Sequence, residues 1–299
     1  MSRGTKNGRF NLEWAYGNYA IDDKFTFQFG RKRLPLFYYS ETQDMGLTYP
    51  WAHLPPGQYG WEIVNYNGAN LLYRDQWGGW SSSMNFFAGG ETRKDNPYQK
   101  IYSGRDMRTD SRWSNILGAD MTLTRDWFEA RAAYVQSAIQ NRFEDPATAP
   151  PYDYSPKVKQ KIYALSFAID HRNWVVRNEY LYMDRKQIGE EDYSFLLGVG
   201  YRIDRYLPML TYNRYKMRLM PGLADSAVID PTTIDPLTAE GWSTLAISLR
   251  YDLTPTSAIK LQVERWKDRN GPNFNIGASG SSVPFGNARL LTISYDMVF

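Results

Sequence analysis

The stretch Leu291–Phe299, LTISYDMVF, alternates with Val298 as its one exception: Leu291, Ile293, Tyr295, Met297 and Phe299 on one side, Thr292, Ser294 and Asp296 on the other. Side chains of an extended strand point to opposite faces with a period of two, so this pattern gives a strand with one apolar and one polar face.

The same alternation recurs upstream. From Thr244 to Tyr251, Leu245, Ile247, Leu249 and Tyr251 share a face, with Thr244, Ala246, Ser248 and Arg250 opposite. After the turn-forming DLTPTS (Asp252–Ser257), Ile259, Leu261 and Val263 alternate with Lys260, Gln262 and Glu264. Equivalent hairpins are centred on Asp22-Asp23, on Gln76 to Gly79, on Arg125-Asp126, on His171-Arg172-Asn173 and on Arg205. Between hairpins lie long polar connections: Leu34 to Gly60, Glu91 to Ser111, Gln140 to Pro156, Met220 to Gly241 and Asn270 to Asn287.

Short turns alternating with long loops, joined by strands of about ten residues, predict an all-β fold, a transmembrane antiparallel β-barrel of the outer-membrane kind. A soluble sandwich would also alternate, but it does not need strands this long with short turns at one end only. No run approaches the eighteen or so apolar residues of a spanning helix. The aromatic share of 16%, with 23 Tyr and 10 Trp, suits two interfacial girdles. No linker or low-complexity segment divides the 299 residues, so one domain, 1–299, is expected.

Several functions are disfavoured. The chain has no Cys, and only His53 and His171 are histidines, so thiolate metal sites are excluded and no catalytic triad can be assembled from recognisable spacing; neither a catalytic residue, a metal site nor a cofactor is expected. Basic and acidic residues number 35 and 32 and are interspersed, which leaves no nucleic-acid footprint.

Segmentation yields roughly thirteen strands, whereas single-chain bacterial barrels close on an even number. With Phe299 ending at the periplasmic side, the strand at Phe10 starts outside. The expectation is that three upstream strands precede it, making about sixteen, with Met1 to Gly8 the remnant of an external loop.

Lipid demands an apolar outward face, since a charge at mid-bilayer costs about 2–4 kcal/mol, so the charged members of each strand map the lumen. Alternation puts Arg74, Arg131, Arg177, Arg202, Arg250 and Lys260 inside, with Asp120, Glu129, Glu179 and Glu264. Glu129 with Arg131, and Glu179 with Arg177, stand two apart on one face and are candidates for lumenal ion pairs.

The segment GRKRLPLFYYSETQDMGLTYPWAHLPPGQYG resembles a group of Gram-negative porins. Their fifth strand and following loop carry Gly-Arg-x-Arg-x-Pro, Ser, Tyr-Pro-Trp, Pro-Pro and Tyr, here Gly30, Arg31, Arg33, Pro35, Ser40, Tyr49-Pro50-Trp51, Pro55-Pro56 and Tyr59. More distantly it resembles the phosphate-selective porin superfamily, in which the strand before the constriction loop also ends in Gly-Arg. The resemblance implies that Leu34 to Gly60 folds inward and narrows a water-filled pore passing small hydrophilic solutes, in a homotrimer. It also implies that Tyr295, Met297 and Phe299 form the signal read by the barrel-assembly machinery.

On that reading Arg31, Lys32 and Arg33 are a basic cluster at the constriction, suited to phosphate or carboxylate solutes or to lipopolysaccharide phosphates. Glu41 and Asp44 on the loop then oppose the wall arginines across an eyelet, with a weak preference for anions. The rival expectation is a plugged structural or binding barrel, such as an adhesin, a receptor or the sheath of a larger complex.

Overall fold

The computed structural model describes residues 2–4, 10–98, 108–144, 154–274 and 286–298. The predicted terminal aromatic, Phe299, lies outside these, as do parts of three of the predicted long loops.

Two short strands, β1 (Ser2–Gly4) and β2 (Phe10–Leu12), pair with one another. Thirteen further strands form a single antiparallel sheet in which each pairs with its neighbours in sequence. These are β3 (Ala15–Ala20), β4 (Phe25–Arg33), β5 (Asn65–Trp77), β6 (Trp80–Arg93), β7 (Arg108–Arg125), β8 (Phe128–Glu144), β9 (Val158–His171), β10 (Trp174–Arg185), β11 (Glu190–Tyr201), β12 (Tyr206–Leu219), β13 (Gly241–Thr254), β14 (Ser257–Asp268) and β15 (Ala288–Met297). Several outrun the predicted segments, because β6 continues to Arg93 and β7 begins at Arg108, which shortens the connection expected from Glu91 to Ser111. Among the described residues β3 and β15 do not pair, so the sheet is an open ring.

The short turns are set by local backbone chemistry. Trp77 pairs with Trp80 across Gly78-Gly79, both at positive φ (56° and 81°), the two-residue mirror-image turn whose twist matches a hairpin. Asp126 takes a positive φ of 49° in the equivalent turn between β7 and β8.

The burial pattern is the inverse of a soluble protein's. On β13, Ile247 is 64% exposed while its neighbour Ser248 is 1% exposed. Tyr163, Leu165 and Phe167 of β9 are likewise exposed, against buried Ile162, Ala164, Ser166 and Ala168. An exposed aliphatic band fits hydrocarbon as its surroundings. It is edged towards the long loops by a row of adjoining rings, Tyr134, Tyr163, Tyr182 and Tyr193 (5.1, 6.0 and 5.1 Å between successive rings). Towards the short turns it is edged by pairs such as Trp174–Tyr201 and Tyr206–Tyr251.

What buries the inward face is the segment between β4 and β5. It runs inside the sheet through successive turns over residues 37–45, a 3-10 turn at Gly46–Thr48 and one helical turn, α1 (Pro56–Tyr59). Leu34, Phe37, Tyr39, Tyr49, Trp51, Tyr59 and Ile63 from this segment pack with inward Ile162, Leu181, Met183, Leu196 and Met209.

Candidate functional site

The inward loop is fastened to one side of the wall by polar bonds. The buried Trp51 Nε1 donates to Thr211 Oγ1 (2.8 Å), Ser194 Oγ donates to the Gly57 carbonyl (2.6 Å), and Gln262 Oε1 accepts from the Ala52 amide (2.9 Å). Tyr59 Oη donates to Glu179, which also accepts from the Tyr38 amide (3.2 Å). Burial pushes the Tyr39 and Tyr59 hydroxyls above the ordinary phenol value, so both stay neutral at any working pH, Tyr59 as donor to Glu179 and Tyr39 as acceptor.

Three predicted lumen cations belong to this fastening. Arg177 Nε donates to Tyr39 Oη (2.7 Å), while its guanidinium pairs with Asp170 (2.8 Å) and covers the Tyr38 ring (5.1 Å). Arg250 donates to the Leu47 carbonyl (2.7 Å) and to Asp252 (2.7 Å). Lys260, fully buried, donates to the Gly46 carbonyl, pairs with Asp296 (3.0 Å) and lies over the Tyr49 ring (4.5 Å). Their carbonyl and carboxylate partners use up the charge that alternation had placed in the lumen.

On the other side of the loop an aqueous space remains. A cavity of 590 Å³ lies between loop residues 38–48 and strands β3 to β8, lined by basic Lys32, Arg33, Arg74 and Arg131 and acidic Glu41, Asp120 and Glu129. A second of 530 Å³, reaching Asp23, Lys24 and Gln76 at the short turns, shares Arg74, Ser83 and Thr122 with the first.

The charges around this passage are unequally engaged. Arg131 pairs with Asp120 (3.2 Å) and donates to the Phe37 carbonyl (3.0 Å). Lys32 donates to Gln28 and to Asn70 (3.3 Å). Arg33 is held by Glu13 (3.1 Å), Asn65 (2.5 Å) and Asp44. Arg74 is exposed, and its guanidinium makes no hydrogen bond or ion pair among the described residues. Glu41 is likewise exposed, within electrostatic reach of Lys32 and Asp120.

Lys32, Arg33, Glu41, Arg74 and Arg131 are therefore brought together, whereas Asp44 is drawn beneath them into the Arg33 cluster. Arg31 shares strand parity with Phe27 and Phe29, turns from the cavity, and pairs with Glu91 (2.5 Å) and the Leu12 carbonyl (2.6 Å). The anticipated pairs within one strand do not form: Arg131 takes Asp120, and Arg177 takes Asp170. Both acids stand diagonally across the neighbouring strand, Asp120 opposite Ala133 and Asp170 opposite Val175, within reach of a long arginine side chain. Trp14, Tyr16, Tyr38 and Tyr39 also line the passage and were not foreseen there: Trp14 and Tyr16 read equally well as girdle, and no strand alternation orients Tyr38 and Tyr39 on the loop. Tyr295 and Met297 stand on the exposed face of β15.

No protein-family model matches the chain, and no curated protein is similar to it in sequence. Solved structures are similar. The anion-selective porin from Comamonas acidovorans matches at 10% identity with a TM-score of 0.53, over 98% of this chain and 80% of that one. The outer-membrane channel DcaP of Acinetobacter baumannii matches at 11% and 0.54, over 99% and 77%. The in-vitro folded outer-membrane protein OmpT of Vibrio cholerae, in trimer form, matches at 9% and 0.50, over 96% and 79%. At such identities the likeness is one of fold, and together with the inverted burial pattern it makes this chain an outer-membrane β-barrel.

Proposed function

We propose that this chain is an outer-membrane porin, a passive diffusion channel for small hydrophilic solutes with a weak preference for anions. The observation that carries this reading is the polar passage beside the loop, where two cavities of 590 and 530 Å³ share Arg74, Ser83 and Thr122. Opposed charges at close quarters, Glu41 on the loop and Arg74, Lys32 and Arg131 on the wall, sort polar solutes by charge. Arg74 sets the anion preference, because the neighbouring cations are partly neutralised by Asp120, Glu13 and Asp44.

Backbone donors and acceptors along β3 and β15 cannot stay unpaired in lipid. Further strands, from this polypeptide or a neighbouring one, complete the ring, to about sixteen in total. A homotrimer suits the fold, as one similar structure is described in trimer form. Barrel-assembly machinery reading the last strand through Tyr295, Met297 and Phe299 belongs to the same reading.

Conductance in planar bilayers, with the reversal potential in a salt gradient, tests it. A step conductance with a mild anion bias is expected. Zero conductance from a folded, inserted barrel favours a plugged binding or structural barrel, the reading suggested by the loop's dense packing against Lys260, Gln262 and Glu264.

A further inference from the structure

On the outward face of the sheet, a group of cations at the long-loop end answers to no acid among the described residues. Outward positions along β12, β14 and β15 run from exposed aliphatic residues (Leu210, Val263, Leu291, Ile293) to Arg214, Lys216, Arg265, Lys267 and Arg289, all exposed. Arg265 and Arg289 are direct cross-strand partners, and Arg214 and Lys267 both pair with Ser243 of the intervening β13. Directly opposed residues of an antiparallel pair have Cβ atoms about 4.5–5.5 Å apart, and like charges there repel.

Among the described residues none of these five side chains makes a salt bridge or hydrogen bond. The nearby acid Glu191 is already shared by Arg218 (3.5 Å), Lys186 (3.7 Å) and two tyrosine hydroxyls. At the short-turn end Lys24 pairs with Asp75 (2.9 Å), Arg125 with Asp126 (3.8 Å) and Arg202 with Asp252 (3.4 Å), while Arg172 and Arg205 make no ion pair among the described residues.

Position identifies the missing counter-charge. Arg265 lies two residues beyond Val263 and Arg289 two from Leu291, about 7 Å along the strand from side chains that face hydrocarbon. That is headgroup depth. Guanidinium forks suit phosphate oxygens, and a phosphate between Arg265 and Arg289 turns their repulsion into a shared attraction.

We propose that the outward faces of β12, β14 and β15 form a binding surface for the phosphate groups of an anionic glycolipid in the leaflet that the long loops face. Arg265 and Arg289 grip one phosphate, and Arg214 and Lys267 hold its surroundings. This rests on the barrel fold and does not depend on the lumen conducting.

The test uses the folded barrel in detergent and bis-phosphorylated lipid A, with binding read by native mass spectrometry. Replacing Arg214, Lys267, Arg265 and Arg289 together by Gln is expected to weaken binding by about tenfold or more, given the attraction of each cation near an anionic surface. Replacing Lys24, Arg125 and Arg202 by Gln is expected to leave it unchanged. Dephosphorylated lipid should bind the unaltered barrel as weakly as lipid A binds the four-site variant, and millimolar inorganic phosphate should not displace the lipid.

Equal binding by the four-site variant, equal binding of dephosphorylated lipid, or displacement by free phosphate would each overturn the proposal. Should the four-site variant fail to fold, Arg289→Gln serves alone. It removes the repulsion with Arg265, so it should be no less heat-stable without lipid yet lose most of the stabilisation that lipid A confers. Retention of that stabilisation also overturns the proposal. Conductance of the same samples reads the channel separately.

Discussion

Trp51 Nε1 donates to Thr211 Oγ1 at 2.8 Å across the interior of the sheet, joining the fully buried apex of the inward loop to the wall of β12. The indole also packs edge-on against Tyr39 at 5.7 Å. Truncating a buried Trp costs about 3–5 kcal/mol. Trp51→Ala should therefore release the loop without unfolding the barrel, whose backbone pairing it does not join. Heat-modifiable mobility on gels should persist while single-channel conductance rises and becomes noisier; unchanged conductance would show that other bonds alone hold the loop.

The loop is also fastened by a titrating bond. His53 Nε2 meets Glu264 Oε2 at 2.9 Å, its Nδ1 meets the Leu54 carbonyl at 3.1 Å, and Gln262 Nε2 stands 3.5 Å away. The hydrogen bond to Glu264 raises the His53 pKa above the ordinary value, with the Leu54 carbonyl adding to it and burial opposing. A raised pKa means that the docked state favours the proton. The stabilisation is then fully present below the ordinary value of about 6.5 and lost as pH rises through the raised one. Conductance noise recorded from pH 5 to 9 should increase on the alkaline side, and His53→Gln should flatten that profile; an equally steep profile in the variant would point to another group.

Selectivity should follow the two exposed charges of the passage. A unit charge some 10 Å from a permeating ion in water contributes about 0.4 kcal/mol, roughly a twofold change in a permeability ratio. Arg74→Gln should lower the chloride-to-potassium ratio by about that factor, and Glu41→Gln should raise it. The double variant should fall back near the unaltered channel. Reversal potentials insensitive to both would place the ion path elsewhere.

Much of this architecture was legible because lipid reverses the usual burial rule. Leu245, Ile247 and Leu249 announce their face by alternation alone, and the Gly78-Gly79 turn announces its hairpin. The loop's docking side was not legible. Trp51, Ala52 and Gly57 bond to Thr211, Gln262 and Ser194, more than a hundred residues away, and no period in either segment encodes the match. Gly30, Gly68 and Gly89 pose the same difficulty: in sequence they are scattered glycines within strands, but register places them in one row across β4, β5 and β6. A Cβ on Gly68 would strike the Ala88 carbonyl, and Gly30 has a φ of 133°. Close backbone approach there emerges only once the strands are paired.

The ion pair between buried Lys260 and partly exposed Asp296 separates anchors from passage. Lys260 is fully buried, and its partners, the Gly46 carbonyl and Asp296 (3.0 Å), lie on the loop and on the last strand. Removing Lys260 leaves a carboxylate that is 21% exposed, at a cost below the about 3–5 kcal/mol of a fully buried pair, whereas replacing both members is often close to neutral. Lys260→Met should loosen the loop and lower thermal stability, and Lys260→Met with Asp296→Asn should restore most of it. Gly46→Ala should reproduce the single defect by another route, because a Cβ at Gly46 runs into the Asp296 carboxylate. If Lys260 instead served permeation, Lys260→Met would shift the reversal potential at unchanged stability and the second substitution would not repair it.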